Sequence, residues 1–148
     1  PADVFQAVRA VGITNALDIN RRVMAVHGFS KLDSASALAA ANKRVSNILA
    51  KNDGDAVVND VDAALFEAAE EKALFEQMTA LHDLTIPALA KGDYTTALEA
   101  LSTLRDVVDA FFDNVMVMAD NEAVKNNRLA LLKQLRGMFV GIADISVL

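Results

Sequence analysis

Apolar residues along this chain recur every three or four positions and almost nowhere alternate, so the fold they can specify is all-α. The spacing predicts a helix over 2–11 ending at Gly12, and a second over 18–27 ending at Gly28. A third starts from a cap at Asp33 or Ser34 and runs to Lys51. A long helix over 63–90, bent by Pro87, is stopped by Gly92. Asp93 caps a helix over 94–118, and a last one runs from after Asp120 to Ala143. Residues 52–61 read as a loop. About six helices on short connections describe a single helical bundle occupying residues 1–148. At 148 residues, 53% of them hydrophobic, such a bundle can bury about two-thirds of its unfolded surface. The chain opens at Pro1-Ala2 directly into an amphipathic segment, which is expected of a piece of a longer polypeptide.

Several kinds of chemistry find no residues to carry them. There is no cysteine, which removes disulfides, thiolate nucleophiles and Cys-ligated zinc, and which fits a cytoplasmic address. No Gly-x-Ser-x-Gly turn and no Gly-rich phosphate loop occurs, and His27 and His82 fall in unrelated helices. No apolar run approaches the ~18 residues of a membrane span. Asp53 and Asp55 begin like a calcium loop, but Val57 takes the next ligand position and no Glu closes it, so no metal site is expected. Glu67, Glu70 and Glu71 share helical spacing without the Glu-x-x-His that a di-metal bundle needs, and read as a solvated face.

The net charge of −6 argues against nucleic acid until its distribution is considered. Residues 1–52 carry seven Lys/Arg against three Asp, and residues 125–148 carry four against one. The acids concentrate between them, so a local positive face survives in an acidic molecule. On the third helix that face is visible. At about 100° per residue, Leu38, Ala41, Val45, Ile48 and Leu49 share one apolar arc. Ala40, Lys43, Arg44, Asn47 and Lys51 share the opposite one. Cations beside an amide suit phosphate contacts with one base-reading group. An ordinary soluble surface would look the same.

Upstream, Arg21-Arg22 and Lys31 flank Phe29. Cations with an aromatic side chain are what single-stranded RNA requires, so Phe29 is a candidate stacking platform, or else a hydrophobic plug. Downstream, Ala97, Leu98, Leu101, Leu104, Val108, Phe111, Phe112 and Val115 form a core face. Leu131, Leu132, Leu135, Met138, Phe139 and Ile142 form another, with Arg128 inside it. An arginine there demands a partner. Asp109 or Asp113 is the expected one, and Lys125, Lys133 and Arg136 are expected to decorate the outside.

Ala37-Leu-Ala-Ala-Ala-Asn-Lys-Arg-Val-Ser-Asn-Ile-Leu49 and Val108-Asp-Ala-Phe-Phe-Asp-Asn-Val-Met-Val-Met-Ala-Asp120 together resemble the beta chain of the bacterial two-subunit glycyl-tRNA synthetase. Asp18-x-x-Arg-Arg-Val23, Asn127-Arg-Leu-Ala-Leu-Leu132 and Ala143-Asp-Ile-Ser-Val-Leu148 extend the likeness over essentially the whole chain. The resemblance implies a helical anticodon-binding domain of the DALR-like type found in class I synthetases. The Asp-Ala-Leu-Arg signature of that group stands here as Ser36-Ala-Leu-Ala39, without its arginine. The resemblance also implies glycine tRNA and the synthetase alpha chain as partners, with neither DNA nor membrane. No catalytic residue and no cofactor is implied within this segment, since ATP and Mg would be bound elsewhere in the whole enzyme. Carried over, Arg21, Arg22, Lys43, Arg44 and Asn47 are the expected RNA contacts, with Phe29 and Lys51 beside them. A helical docking domain that holds a partner subunit is the alternative, supported by the acidic middle.

Overall fold

The computed structural model describes residues 2–12, 15–52 and 60–148. Among these it contains seven α-helices, two 3₁₀ turns and no strand. They are α1 (Ala2–Arg9), α2 (Ala16–Ser30), α3 (Ala35–Lys51), α4 (Ala69–Ala90), α5 (Tyr94–Ser102), α6 (Arg105–Asn114) and α7 (Glu122–Val140). The all-α expectation holds, and the places where its boundaries fail have local causes.

Gly12 and Gly92 stop their helices with positive φ (77° and 72°), as a residue lacking Cβ allows. Gly28 does not. Phe29 is 2% exposed and needs one more turn of α2 to reach the core, so the helix continues to Ser30. The helix expected over 63–90 begins only at Ala69. Asp62 caps a separate 3₁₀ turn over Ala63–Leu65, and Phe66 and Ala68 are extended. Glu71 then reaches back to the backbone N–H groups of Glu67 and Ala68 (both 3.1 Å) and fixes the start of α4. Pro87 lies inside α4, which runs through it to Ala90.

The helix expected over 94–118 divides at Thr103–Leu104. The Ser102 and Thr103 hydroxyls bond back to the carbonyls of Glu99 and Ala100, and Leu104 N–H drops to an i−3 bond on Leu101. The corner lets Leu104 stay fully buried while Val108 and Phe111 of α6 enter the core at a new angle. The core is otherwise the one read from periodicity: Leu131, Leu132, Leu135, Phe139 and Ile142 are all at or below 1% exposure. The chain returns beneath α1 and α3, where Asp144 N–H donates to the Ala7 carbonyl (2.9 Å) and Ile145 is buried in a 3₁₀ turn over Ile145–Val147.

Candidate nucleic-acid interface

Six alanines make α3 a strong helix former that needs little from its neighbours to stay helical, so one face is free for other work. Leu38, Ala41 and Val45 are buried against the rest of the bundle. Asn42, also buried, satisfies its amide by donating to the Leu38 carbonyl (3.0 Å). Ala40, Lys43, Arg44, Asn47 and Lys51 are all exposed, along one side of the helix as the arc predicted. Among the described residues Lys43 and Lys51 enter no ion pair. The stripe is bordered on both flanks by contacts the sequence left unread. On one, the Arg44 guanidinium lies over the Phe112 ring of α6, 4.5 Å from its centroid. On the other, Arg136 of α7 donates from Nε to the Ser46 hydroxyl (2.9 Å). Arg136 therefore does more than decorate the outside: it is half-buried and brings a cation to the edge of the α3 face.

Arg21, Arg22 and Phe29 do not join this surface as a set. Arg22 is structural. Its Nε meets Asp18 (2.7 Å), Nη1 donates to the carbonyls of Gly141 and Ile142 (both 2.8 Å), and its plane covers the Tyr94 ring at 4.4 Å. A guanidinium on the two carbonyls just past the end of α7 satisfies groups that the turn leaves unpaired and complements the helix dipole. Asp18 also accepts from the Tyr94 hydroxyl, and that hydrogen bond, followed by those of Arg22, holds its carboxyl below the usual range. Tyr94 is pushed the other way, by burial first and Asp18 second. Phe29 is no stacking platform, because its ring faces Phe139 in the core at 6.5 Å. Arg21 is exposed but leans on Gly92, where an added Cβ would sit 3.0 Å from Nη1.

Arg128 is buried as its arc required, yet its partner is neither Asp109 nor Asp113. It meets Glu71 at 2.9 Å and Glu67 at 3.5 Å, and donates to the Met116 carbonyl. Asp109 lies near Arg105 one turn away on its own helix (3.8 Å). Glu71 is 0% exposed, so of the acidic triplet it departs from the solvated face, whereas Glu67 stays exposed. The cue was Glu71 at the third position of α4, where a capping side chain must turn inward. Asn127, beside Arg128, holds the Asp62 backbone at both ends (2.7 and 2.9 Å), so α7 pins the whole approach to α4. Asp53 and Asp55 lie outside the described residues. Among those described, no three His, Cys, Asp or Glu side chains converge on a metal position, and no helix is long and apolar enough to cross a membrane.

Residues 38–143 match the DALR anticodon binding domain, which is well over half of the chain. The chain belongs to that family. Among curated proteins it is 58% identical to the glycine–tRNA ligase beta subunit of Pseudoalteromonas translucida, 53% to that of Aliivibrio fischeri and 52% to that of Marinobacter nauticus. Each alignment covers 99% of this chain and 21% of the relative, so the chain spans about a fifth of the proteins it matches.

The DALR match opens at Leu38, a core residue in the first turn of α3, and so contains every member of the exposed stripe. Arg21, Arg22 and Phe29 precede it. In this DALR domain Ala39, where the group's signature has arginine, is itself 6% exposed, and the outward charges sit one turn further along at Lys43 and Arg44.

Proposed function

We propose that this DALR domain grips the anticodon stem-loop of a glycine tRNA, as one part of a glycine–tRNA ligase beta subunit. The observation that carries the reading is the outer face of α3: three cations and an amide, exposed together on a chain whose net charge is −6. Lys43, Lys51 and Arg44 supply phosphate contacts, and Asn47 supplies a donor and an acceptor for the edge of an unpaired base. Arg136 extends the positive surface at its margin, while Arg21, exposed on α2 beside Gly92, is a separate candidate contact. Arg22 and Phe29 are left out, because both are committed to the fold.

No side chain of this domain is assigned a chemical step. It would aid charging by spending RNA-binding energy on the position of the acceptor end, with glycine, ATP and Mg handled on the alpha chain. Cytoplasmic residence follows from that partnership and is part of the proposal. The docking alternative rested on the acidic middle. The acids of α4 that stand exposed there, such as Glu76 and Asp83, are solvated and identify no partner.

The test is a filter-binding titration of the 148-residue chain against glycine tRNA at two salt concentrations. Binding should weaken steeply with salt. The Lys43→Glu, Arg44→Glu double variant should lose at least about tenfold in affinity and show a shallower salt dependence. Undiminished binding by that variant would remove the stripe from the interface.

A further inference from the structure

The proposed RNA face lacks one thing that unpaired nucleotides require, a flat surface on which a splayed base can stack. The chain has no tryptophan, seven phenylalanines and one tyrosine, so the search is short. Phe29, Phe111 and Phe139 are buried. Tyr94 is buried beneath Arg22. Phe66 and Phe75 pack edge to face against each other, 5.6 Å apart, in the segment leading into α4 and on α4 itself. Phe5 is exposed on α1, whose main packing partners are α2 and the 3₁₀ turn over Ile145–Val147, and Arg9 lies over its ring at 5.8 Å. Only Phe112 adjoins the stripe, and its face is taken by Arg44.

That contact turns a mobile cation into a platform. Phe111 is fully buried and meets Phe112 nearly at right angles (80°, centroids 5.5 Å apart), which fixes the half-buried Phe112 ring from below. Phe112 in turn holds the Arg44 guanidinium at 4.5 Å. Core, ring and guanidinium form a ladder that ends at an exposed, planar, charged group between Lys43 and Asn47. Guanidinium planes stack on nucleobases as aromatic rings do, and one already held over a ring has less freedom to lose on binding.

We propose that an unpaired base of the bound RNA stacks on the solvent side of Arg44, completing a Phe112–Arg44–base ladder. Lys43 and Lys51 then hold the phosphates to either side. Phe112 is a positioning residue that acts through Arg44. The ligand at this position is an unpaired nucleobase of either class, since every base has a π-face. Discrimination would fall to Asn47. This inference rests on the tRNA-binding reading above and adds to it a specific residue for stacking.

Arg44→Lys separates the two, because it keeps the charge and removes the plane. Affinities of the 148-residue chain and its variants would be compared for intact glycine tRNA and for a series with single abasic positions in the anticodon loop. Wild-type protein should lose about tenfold at one abasic position, the order expected for one stacked base. Arg44→Lys should lose about tenfold on intact tRNA, lose nothing further at that same abasic position, and keep the wild-type salt slope. Phe112→Leu should behave like Arg44→Lys, and Phe112→Tyr should restore binding. An Arg44→Lys variant that still suffers the full loss at the abasic position overturns the ladder, as does wild-type indifference to every abasic substitution. Either result leaves the charge-based grip standing if Lys43→Glu, Arg44→Glu still loses at least about tenfold in affinity with a shallower salt dependence. Loss of both effects sinks the tRNA reading itself.

Discussion

Arg22 and Arg128 are enclosed by carbonyls, carboxylates and, for Arg22, an aromatic ring, whereas Lys43 and Lys51 stand in solvent beside Asn47 on a helix that does not need them. The two groups of cations differ in what would be lost without them. A buried guanidinium must be paired, since an isolated charge in the core is far more costly than the pair is favourable. An exposed lysine adds little to stability. The first group is explained by the fold. Among the described residues the second group has no such partner, and exposed charge without a structural duty is what a ligand surface offers. Arg44 stands between them, exposed like the lysines yet seated on Phe112.

The contrast makes unequal predictions. The largest effect belongs to Glu71→Ala. It strips Arg128 of its closest carboxylate and frees the N–H groups of Glu67 and Ala68 at the start of α4. Denaturant unfolding should register a loss of about 3–5 kcal/mol, with the melting temperature lowered on the order of 10 °C. A loss below about 1 kcal/mol would mean that this pair is no more structural than the stripe. In the same assay Lys43→Glu, Arg44→Glu should stay within about 1 kcal/mol of wild type, the small change expected of exposed charge.

The smallest effect is the pH response of Asp18. Its carboxyl titrates below the usual range because the Tyr94 hydroxyl, and then Arg22, stabilise the charged form. A lowered folded pKa means that its contribution is fully present above the unfolded value of about 3.9 and is lost as pH falls through the folded one. The stability gap between wild type and Asp18→Asn should therefore be constant from pH 7 to about pH 5 and close towards pH 2. A gap independent of pH would show that the Asp18–Arg22–Tyr94 cluster draws nothing from ionisation.

Periodicity made the core legible, because a helix buries one arc and the apolar residues of α3, α6 and α7 fall on it. It also made the stripe legible, since Lys43, Arg44, Asn47 and Lys51 occupy the arc that remains. What it could not supply was any relation between helices. Arg128 had to be paired, but choosing Glu71 over Asp109 depends on how α4 crosses α7, which no local pattern encodes. Arg22 was misassigned for a similar reason: its helix position places it on the flank, and only the packing of α5 and the end of α7 against α2 converts that flank into a cage. Gly28 failed as a stop because the burial of Phe29 outweighed the glycine's weak helix propensity. Phe112 was read as core and Arg44 as surface, and each is both. A contact between the two could not be found from either helix alone.

The most direct measurement is a photocrosslinking map between the protein and glycine tRNA, with residues identified by mass spectrometry. Crosslinks should fall on the outer face of α3 between Ala40 and Lys51 and on its margins at Phe112 and Arg136, with none on the exposed acids of α4. Crosslinks concentrated on α4, with α3 untouched, would contradict the account.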